Sequence, residues 1–190
     1  MSVITPQGML VFPHLSEPKP RTEGGKPVFS AMILFDEDAQ KTPEWAAVKK
    51  ACAEAIKKRW GEDALKDQDF LRKIRMPWRP AEEKAKYAGF TKGKVFINPW
   101  SKDRPGLVDG RRKDITAPSD VWAGQIVRAS VQPFAYPRPG VTLGNQGVLL
   151  LLNNIQVTKA NMPRMDGRKA ADEEFGDVDN GEADDGESPF

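Results

Sequence analysis

The chain has 190 residues, 39% of them apolar, with 29 Lys and Arg against 27 Asp and Glu for a formal net charge of +2. That length suits about one domain, and the apolar content suits a core of modest size, which excludes a wholly disordered chain and a coiled-coil rod. No run of 18 apolar residues occurs, so no membrane-spanning helix is expected.

The first predicted strand covers Met9 to His14 and ends at the loop Ser16-Glu17-Pro18-Lys19-Pro20. A second runs from Val28 to Phe35 and is apolar on both faces, so both faces should be covered. Thr42-Pro43-Glu44 reads as a helix start, with an N-cap, proline at the first helical position and an acid in the first turn. Trp45, Val48, Cys52, Ala55, Ile56 and Arg59 follow at helical spacing, and Gly61 suits the C-cap. A second helix is expected over Asp67 to Lys73 and a short third over Ala81 to Ala88. After Gly93 the pattern becomes β. Lys94 to Trp100 is one candidate strand, and Gly106 to Ile115 reads as a hairpin turning at Asp109-Gly110. Long strands should cover Gln125 to Tyr136 and Val148 to Lys159. N-terminal strands, a helical insertion at about 42–90 and C-terminal strands pack most economically as one small antiparallel barrel.

Several chemistries lack their residues. The only cysteine, Cys52, cannot form an internal disulfide, and with His14 as the only histidine no Cys/His metal cluster can assemble. Cys52 on an apolar stripe reads as an inert core residue. His14 reads as a strand end without an orienting motif. Neither a GxxxxGK[ST] loop nor a GxGxxG motif is present. The N-terminal Met1 to Pro6 carries no basic and no apolar stretch of an export signal, so a cytoplasmic location is expected. No metal or cofactor is expected.

The near-neutral total hides two opposite parts. Asp172 to Phe190 carries nine acidic residues and no Lys or Arg, which leaves residues 1–171 at net +11. The acidic part is poor in aliphatic residues and is expected to be a disordered tail over 166–190, after a domain over 1–165. A basic body attracts polyanions, and a tethered polyanion competes for the same surface. Asp184, Asp185, Glu187 and Phe190 are the candidate partner-binding residues of that tail.

Strand alternation places residues i and i+2 on one face. Near residue 130, Val127, Ala129 and Val131 read as core, while Arg128, Ser130, Gln132, Phe134, Tyr136 and Arg138 face outward. Near residue 97, Val95 and Ile97 read as core, and Lys94, Phe96, Asn98, Trp100 and Lys102 face outward, with Pro99 bending the strand or placing it at an edge. Aromatics interleaved with cations on an exposed sheet face suit a single-stranded nucleic acid, because bases stack on rings while cations track phosphates. The alternative for each ring is burial under the helical insertion. Arg75, Trp78 and Arg79 repeat the mix on irregular chain, and Arg111, Arg112 and Lys113 supply a basic turn.

These residues carry a resemblance. Phe12-Pro13-His14-Leu15, the strand Lys26 to Phe35, Val121-Trp122-Ala123-Gly124-Gln125 with the strand after it, Tyr136, and Gly147 to Gln156 with its Leu152-Asn153-Asn154-Ile155-Gln156 end together look like phage-encoded single-stranded-DNA-binding proteins. The resemblance spans nearly the whole chain. It implies an OB-fold, no catalysis, and an acidic tail ending in Phe that recruits replication or recombination enzymes. The partners it implies are single-stranded DNA and those enzymes in the bacterial host cytoplasm. A homo-oligomer is compatible with it, and a membrane is not among the partners. The competing readings are a phage structural protein and a carboxylate-metal nuclease using Asp36, Glu37, Asp38, Glu82, Glu83, Asp109 or Asp114.

Overall fold

The computed structural model describes residues 1–136 and 146–165. Among the described residues, nine strands and two α-helices follow in chain order: β1 (Val3–Ile4), β2 (Gly8–Pro20), β3 (Pro27–Phe35), α1 (Pro43–Trp60), α2 (Gln68–Lys73), β4 (Trp78–Pro80), β5 (Val95–Ile97), β6 (Trp100–Ser101), β7 (Gly106–Val108), β8 (Ile126–Tyr136) and β9 (Gly147–Lys159). The architecture is mainly β with few helices.

α1 forms where its signals place it. The Thr42 hydroxyl accepts from the Trp45 amide at 3.2 Å and Pro43 opens the first turn. Loss of such a cap costs about 0.5–2 kcal/mol. Gly61 ends the helix at φ 91°, with its amide donating to the Lys57 carbonyl at 2.9 Å. Trp45, Val48, Cys52 and Ile56 form its buried stripe and close the main core against the strands. Cys52 is fully buried, and burial pushes its thiol up to about 12. α2 follows at its expected place, with the Asp67 carboxylate accepting from the Asp69 and Phe70 amides, each at 3.0 Å.

The strand pairings form a closed circuit. β8 pairs β2, β2 pairs β3, β3 pairs β6, β6 pairs β9 and β9 returns to β8. β6 and β7 each run parallel to β9, which corrects the expectation of an antiparallel arrangement throughout. Neither is joined to β9 by a hairpin, so no tight turn dictates the direction of pairing. The core face carries Leu10, Ala31, Ile33, Phe35, Ile97, Val127, Ala129, Val131, Leu150 and Ile155. β3 is covered on both faces as its sequence predicts, because Met32 and Leu34 lie in a second cluster with Val11, Ala81, Phe90 and Phe96.

Three further expectations need correction. β2 does not end at His14 but continues to Pro20, paired with β3 through two register shifts. Its last five residues, Ser16 to Pro20, are exposed, and prolines are tolerated where the ladder is irregular or at an edge. Residues 81–88 hold only a short 3-10 turn, Ala81–Lys84, rather than an α-helix. The segment 94–100 is two strands, because Asn98 and Pro99 interrupt it between β5 and β6. The Asp109-Gly110 turn forms as expected: the Asp109 carboxylate accepts from the Arg111 and Lys113 amides at 2.8 and 2.9 Å.

Candidate nucleic-acid interface

The alternation read from β8 holds. Val127, Ala129 and Val131 are fully buried, Arg128 and Gln132 are exposed, Phe134 is 52% exposed and Tyr136 is half-buried. β9 supplies the neighbouring outward residues, with Phe134 opposite Leu149 and Gln132 opposite Leu151. β6 adds Trp100, which is paired to Leu151 on one side and to Ser30 of β3 on the other. Trp100, Lys102 and Phe134 thus line one open groove of about 450 Å³, floored by Leu149 and Leu151. Two aromatics and a cation named from separate strands meet there. The Trp100 indole N–H is buried without a hydrogen-bond partner, an orphan donor of a kind that costs about 1–3 kcal/mol.

The two ends of the same face are basic. At one end, Arg128 Nε donates to Gln156 Oε1 at 2.8 Å, and Gln156 Nε2 donates to the Asp109 carbonyl at 2.9 Å. Gln156 therefore holds Arg128 beside the exposed turn that carries Arg111, Arg112 and Lys113. At the other end, the exposed Arg75 is bonded through its backbone to both sides of Gly147: its amide donates to the Gln146 carbonyl and its carbonyl accepts from the Val148 amide, each at 2.9 Å. A Cβ at Gly147 would lie 2.5 Å from the Arg75 carbonyl oxygen, so this close approach requires glycine. Tyr136 pairs with Gly147. Arg128 and Tyr136 lie eight residues apart on β8, about 26 Å at strand rise, so the face is a strip with aromatics between two sets of cations.

Arg21 belongs to this strip although its sequence context did not mark it. Its guanidinium lies 5.7 Å from the centre of the Trp100 ring. Surrounding protein lowers its pKa and nearby Tyr136 raises it. It remains a cation at the Trp100 ring. It sits alone in the turn between β2 and β3, where no periodicity could single it out. His14, across Ser30 from Trp100, contributes no comparable charge, because burial and then Lys19 hold its pKa below the ordinary value.

The other named residues gather elsewhere. Phe96 does point away from the main core, but it is 2% exposed, covered by Ala81 and Phe90 in the second cluster. The expectation of an exposed Phe96 is therefore corrected: residues from 81 to 90 fold over that half of the outward face. Lys94 donates to the Gly89 carbonyl at 3.1 Å within that cover. Arg79 is ion-paired to Glu83 and lies 5.6 Å from the Phe96 ring centre. Trp78 packs against the core and meets Trp45 at a centroid distance of 5.9 Å. Arg138, the acidic Asp184, Asp185 and Glu187, and Phe190 lie outside the described residues. The carboxylates weighed for metal chemistry have structural partners in several cases, Asp36 with the Ala39 amide, Asp38 with Lys41, and Glu83 with Arg79. Among the described residues no three metal-binding side chains gather, and no helix is long and apolar enough to cross a membrane.

Two of the sequence segments behind the family resemblance have distinct tasks in this geometry. In Trp122-Ala123-Gly124-Gln125, the buried Gln125 amide donates to the Asp120 and Ala160 carbonyls, and the Trp122 indole donates to the Met162 carbonyl at 3.0 Å. That segment ties the chain after β9 back to the start of β8. The Gln156 that ends Leu152-Asn153-Asn154-Ile155-Gln156 positions the basic turn.

A family model described as Enterobacter phage Enc34, ssDNA-binding protein, matches residues 1–186. The chain belongs to this family. Among solved structures, the single-stranded DNA-binding protein from bacteriophage Enc34 in complex with ssDNA is similar at a TM-score of 0.67 and 14% identity, over 85% of this chain and 88% of that one. A C-terminal truncation of the same phage's protein gives 0.62 and 18%, over 85% and 87%. The gp2.5 single-stranded DNA binding protein encoded by bacteriophage T7 gives 0.57 and 12%, over 89% and 97%. At these identities the likeness concerns the fold. No match is found among curated proteins.

Proposed function

We propose that this chain is a non-catalytic, largely sequence-independent single-stranded-DNA-binding protein of phage DNA replication or recombination, acting in the host cytoplasm. The observation that carries the reading is the open groove that unites Trp100, Lys102 and Phe134 from β6, the chain after it and β8. Bases would stack on Trp100, Phe134 and Tyr136, while Arg21, Lys102, Arg75, Arg128, Arg111, Arg112 and Lys113 follow the phosphates. Duplex DNA keeps its base faces stacked and offers nothing to such rings. Membership of the Enc34 family and the complex of a similar protein with ssDNA support the same conclusion. The closed circuit of pairings supports an OB-fold barrel, a scaffold whose sheet face holds oligonucleotides.

The acidic segment 172–190 completes the reading. Its nine carboxylates compete with DNA for the basic face while the strand is absent, and Asp184, Asp185, Glu187 and Phe190 recruit replication or recombination enzymes once DNA occupies the groove. The test is a gel-shift series with labelled single-stranded DNA, duplex DNA and RNA of equal length, run with Mg²⁺. The reading expects tight, intact single-strand complexes and weak duplex binding. Strand cleavage would transfer the protein to the nuclease class, and equal duplex affinity would remove stacking as the basis of binding.

A further inference from the structure

A second aromatic site lies at β2, with β3 between it and Trp100 of the groove. Phe12, Tyr87 and Trp122 line a largely apolar pocket of about 390 Å³. Phe12 is 41% exposed and Tyr87 is 38% exposed, which makes them the two exposed large aromatics of the described residues besides Phe134. Their rings meet edge-on at 4.9 Å. Three cations surround them. Lys84 and Lys86 place Nζ 5.7 and 5.1 Å from the Tyr87 ring centre, and the Arg164 guanidinium lies 5.2 Å from that of Trp122.

The backbone spends strain to hold this arrangement. Phe12 has φ 46°, a left-handed conformation rare for a bulky side chain, at the register shift between Val11 and His14. Neighbouring Val11 is buried in the second cluster, whereas the Phe12 ring is left partly in solvent. Strained residues of this kind concentrate at binding sites. Strand pairing brings the pocket near the groove: Trp100 pairs with Ser30 of β3 and Ser30 with His14 of β2, two residues from Phe12. Two strand spacings are about 10 Å.

We propose that the pocket is a second stacking site for the same single strand, with a base on Phe12 and Tyr87 and its phosphates met by Lys84 and Lys86. This inference rests on the single-strand reading of the groove. It divides the interface into two stations, so a short strand fills the groove alone and a longer one crosses β3 to reach the pocket.

The test compares affinities for oligothymidylates of about 4 and about 12 nucleotides, lengths within the range of one OB-type site, using the full chain and its Tyr87→Ala, Tyr87→Phe, Phe12→Ala and Phe134→Ala variants. Tyr87→Ala and Phe12→Ala are expected to weaken the longer strand about five-fold or more and leave the shorter one unchanged. Tyr87→Phe keeps the ring and should match the unsubstituted chain. Phe134→Ala should weaken both lengths. If Phe134→Ala weakens both while Tyr87→Ala and Phe12→Ala change neither, the second station is wrong and the groove stands. If Phe134→Ala is silent while the pocket variants weaken the longer strand, the second station stands and the groove assignment fails. The acidic segment is the competing occupant. If Tyr87→Ala instead tightens DNA binding, and that change vanishes in a chain lacking residues 172–190, the pocket holds the acidic segment and the proposal is overturned.

Discussion

Replacing Phe134 by Ala separates a binding ring from a packing ring. The residue is 52% exposed on the outward face of β8, so about half of its side chain contributes to burial. Full burial of a phenylalanine contributes up to about 3 kcal/mol, which bounds the stability cost here near 1.5 kcal/mol. For a chain of this size that corresponds to a Tm decrease of about 3–6 °C. The loss of one stacked base costs about 1–3 kcal/mol of binding, or roughly 5- to 150-fold in Kd. Phe96→Ala is the internal contrast. Its ring is 2% exposed beneath Ala81 and Phe90, so it should lose about 3–5 kcal/mol of stability while the folded fraction binds normally. Fluorescence anisotropy with a labelled oligothymidylate gives the first quantity and a thermal melt the second. If Phe134→Ala kept full affinity and instead lowered Tm as much as Phe96→Ala, the ring would belong to the core and the groove would lose its central platform.

Further outcomes follow from charge and burial. Single-strand affinity should fall steeply with salt, with log K changing by about −0.7 per log unit of salt for each neutralised phosphate, and Arg111→Ala should reduce that slope by about one phosphate's share in a salt titration. Deleting residues 172–190 takes the formal charge from +2 to +11; the truncated chain should bind single strands more tightly, most of all at low salt where screening is weakest, and unchanged affinity there would refute the competition. Cys52 should resist thiol reagents in the native protein and react after denaturation, as followed by a colorimetric thiol assay. Because burial raises the folded thiol pKa from 9.0 to about 12, its contribution to stability is intact below about pH 9 and is lost as pH rises toward about 12; a Cys52→Ala variant should show a shallower alkaline loss of stability in urea titrations across that window.

Much of this molecule is written locally. The cap, proline and glycine around α1 act within a few residues of each other, and the period-2 pattern of β8 reports burial because a strand between core and solvent has only two faces. Facing was therefore legible, and covering was not. Phe96 obeys the alternation and is still buried, because residues from 81 to 90, connected through loops rather than by any periodic pattern, fold across it. The same non-local logic hides Arg21, which reaches Trp100 from a turn some 80 residues away in sequence. It also hides the parallel pairing of β6 and β7 with β9, which no hairpin encodes. The basic turn shows both sides: Asp109-Gly110 marks the turn from sequence, while its attachment to Arg128 through Gln156 requires β8 and β9 to be in register.

The central claim is that a single strand occupies the groove between β6, β8 and β9, and photo-crosslinking tests it most directly. A short oligothymidylate carrying one 5-iodouracil, irradiated in complex with the protein and analysed by peptide mass spectrometry, should attach to Trp100, Phe134 or Tyr136, and the adduct should disappear when excess unlabelled single strand competes but not when duplex does. Crosslinks confined to α1, with Trp100, Phe134 and Tyr136 unmodified in a saturated complex, would contradict the account.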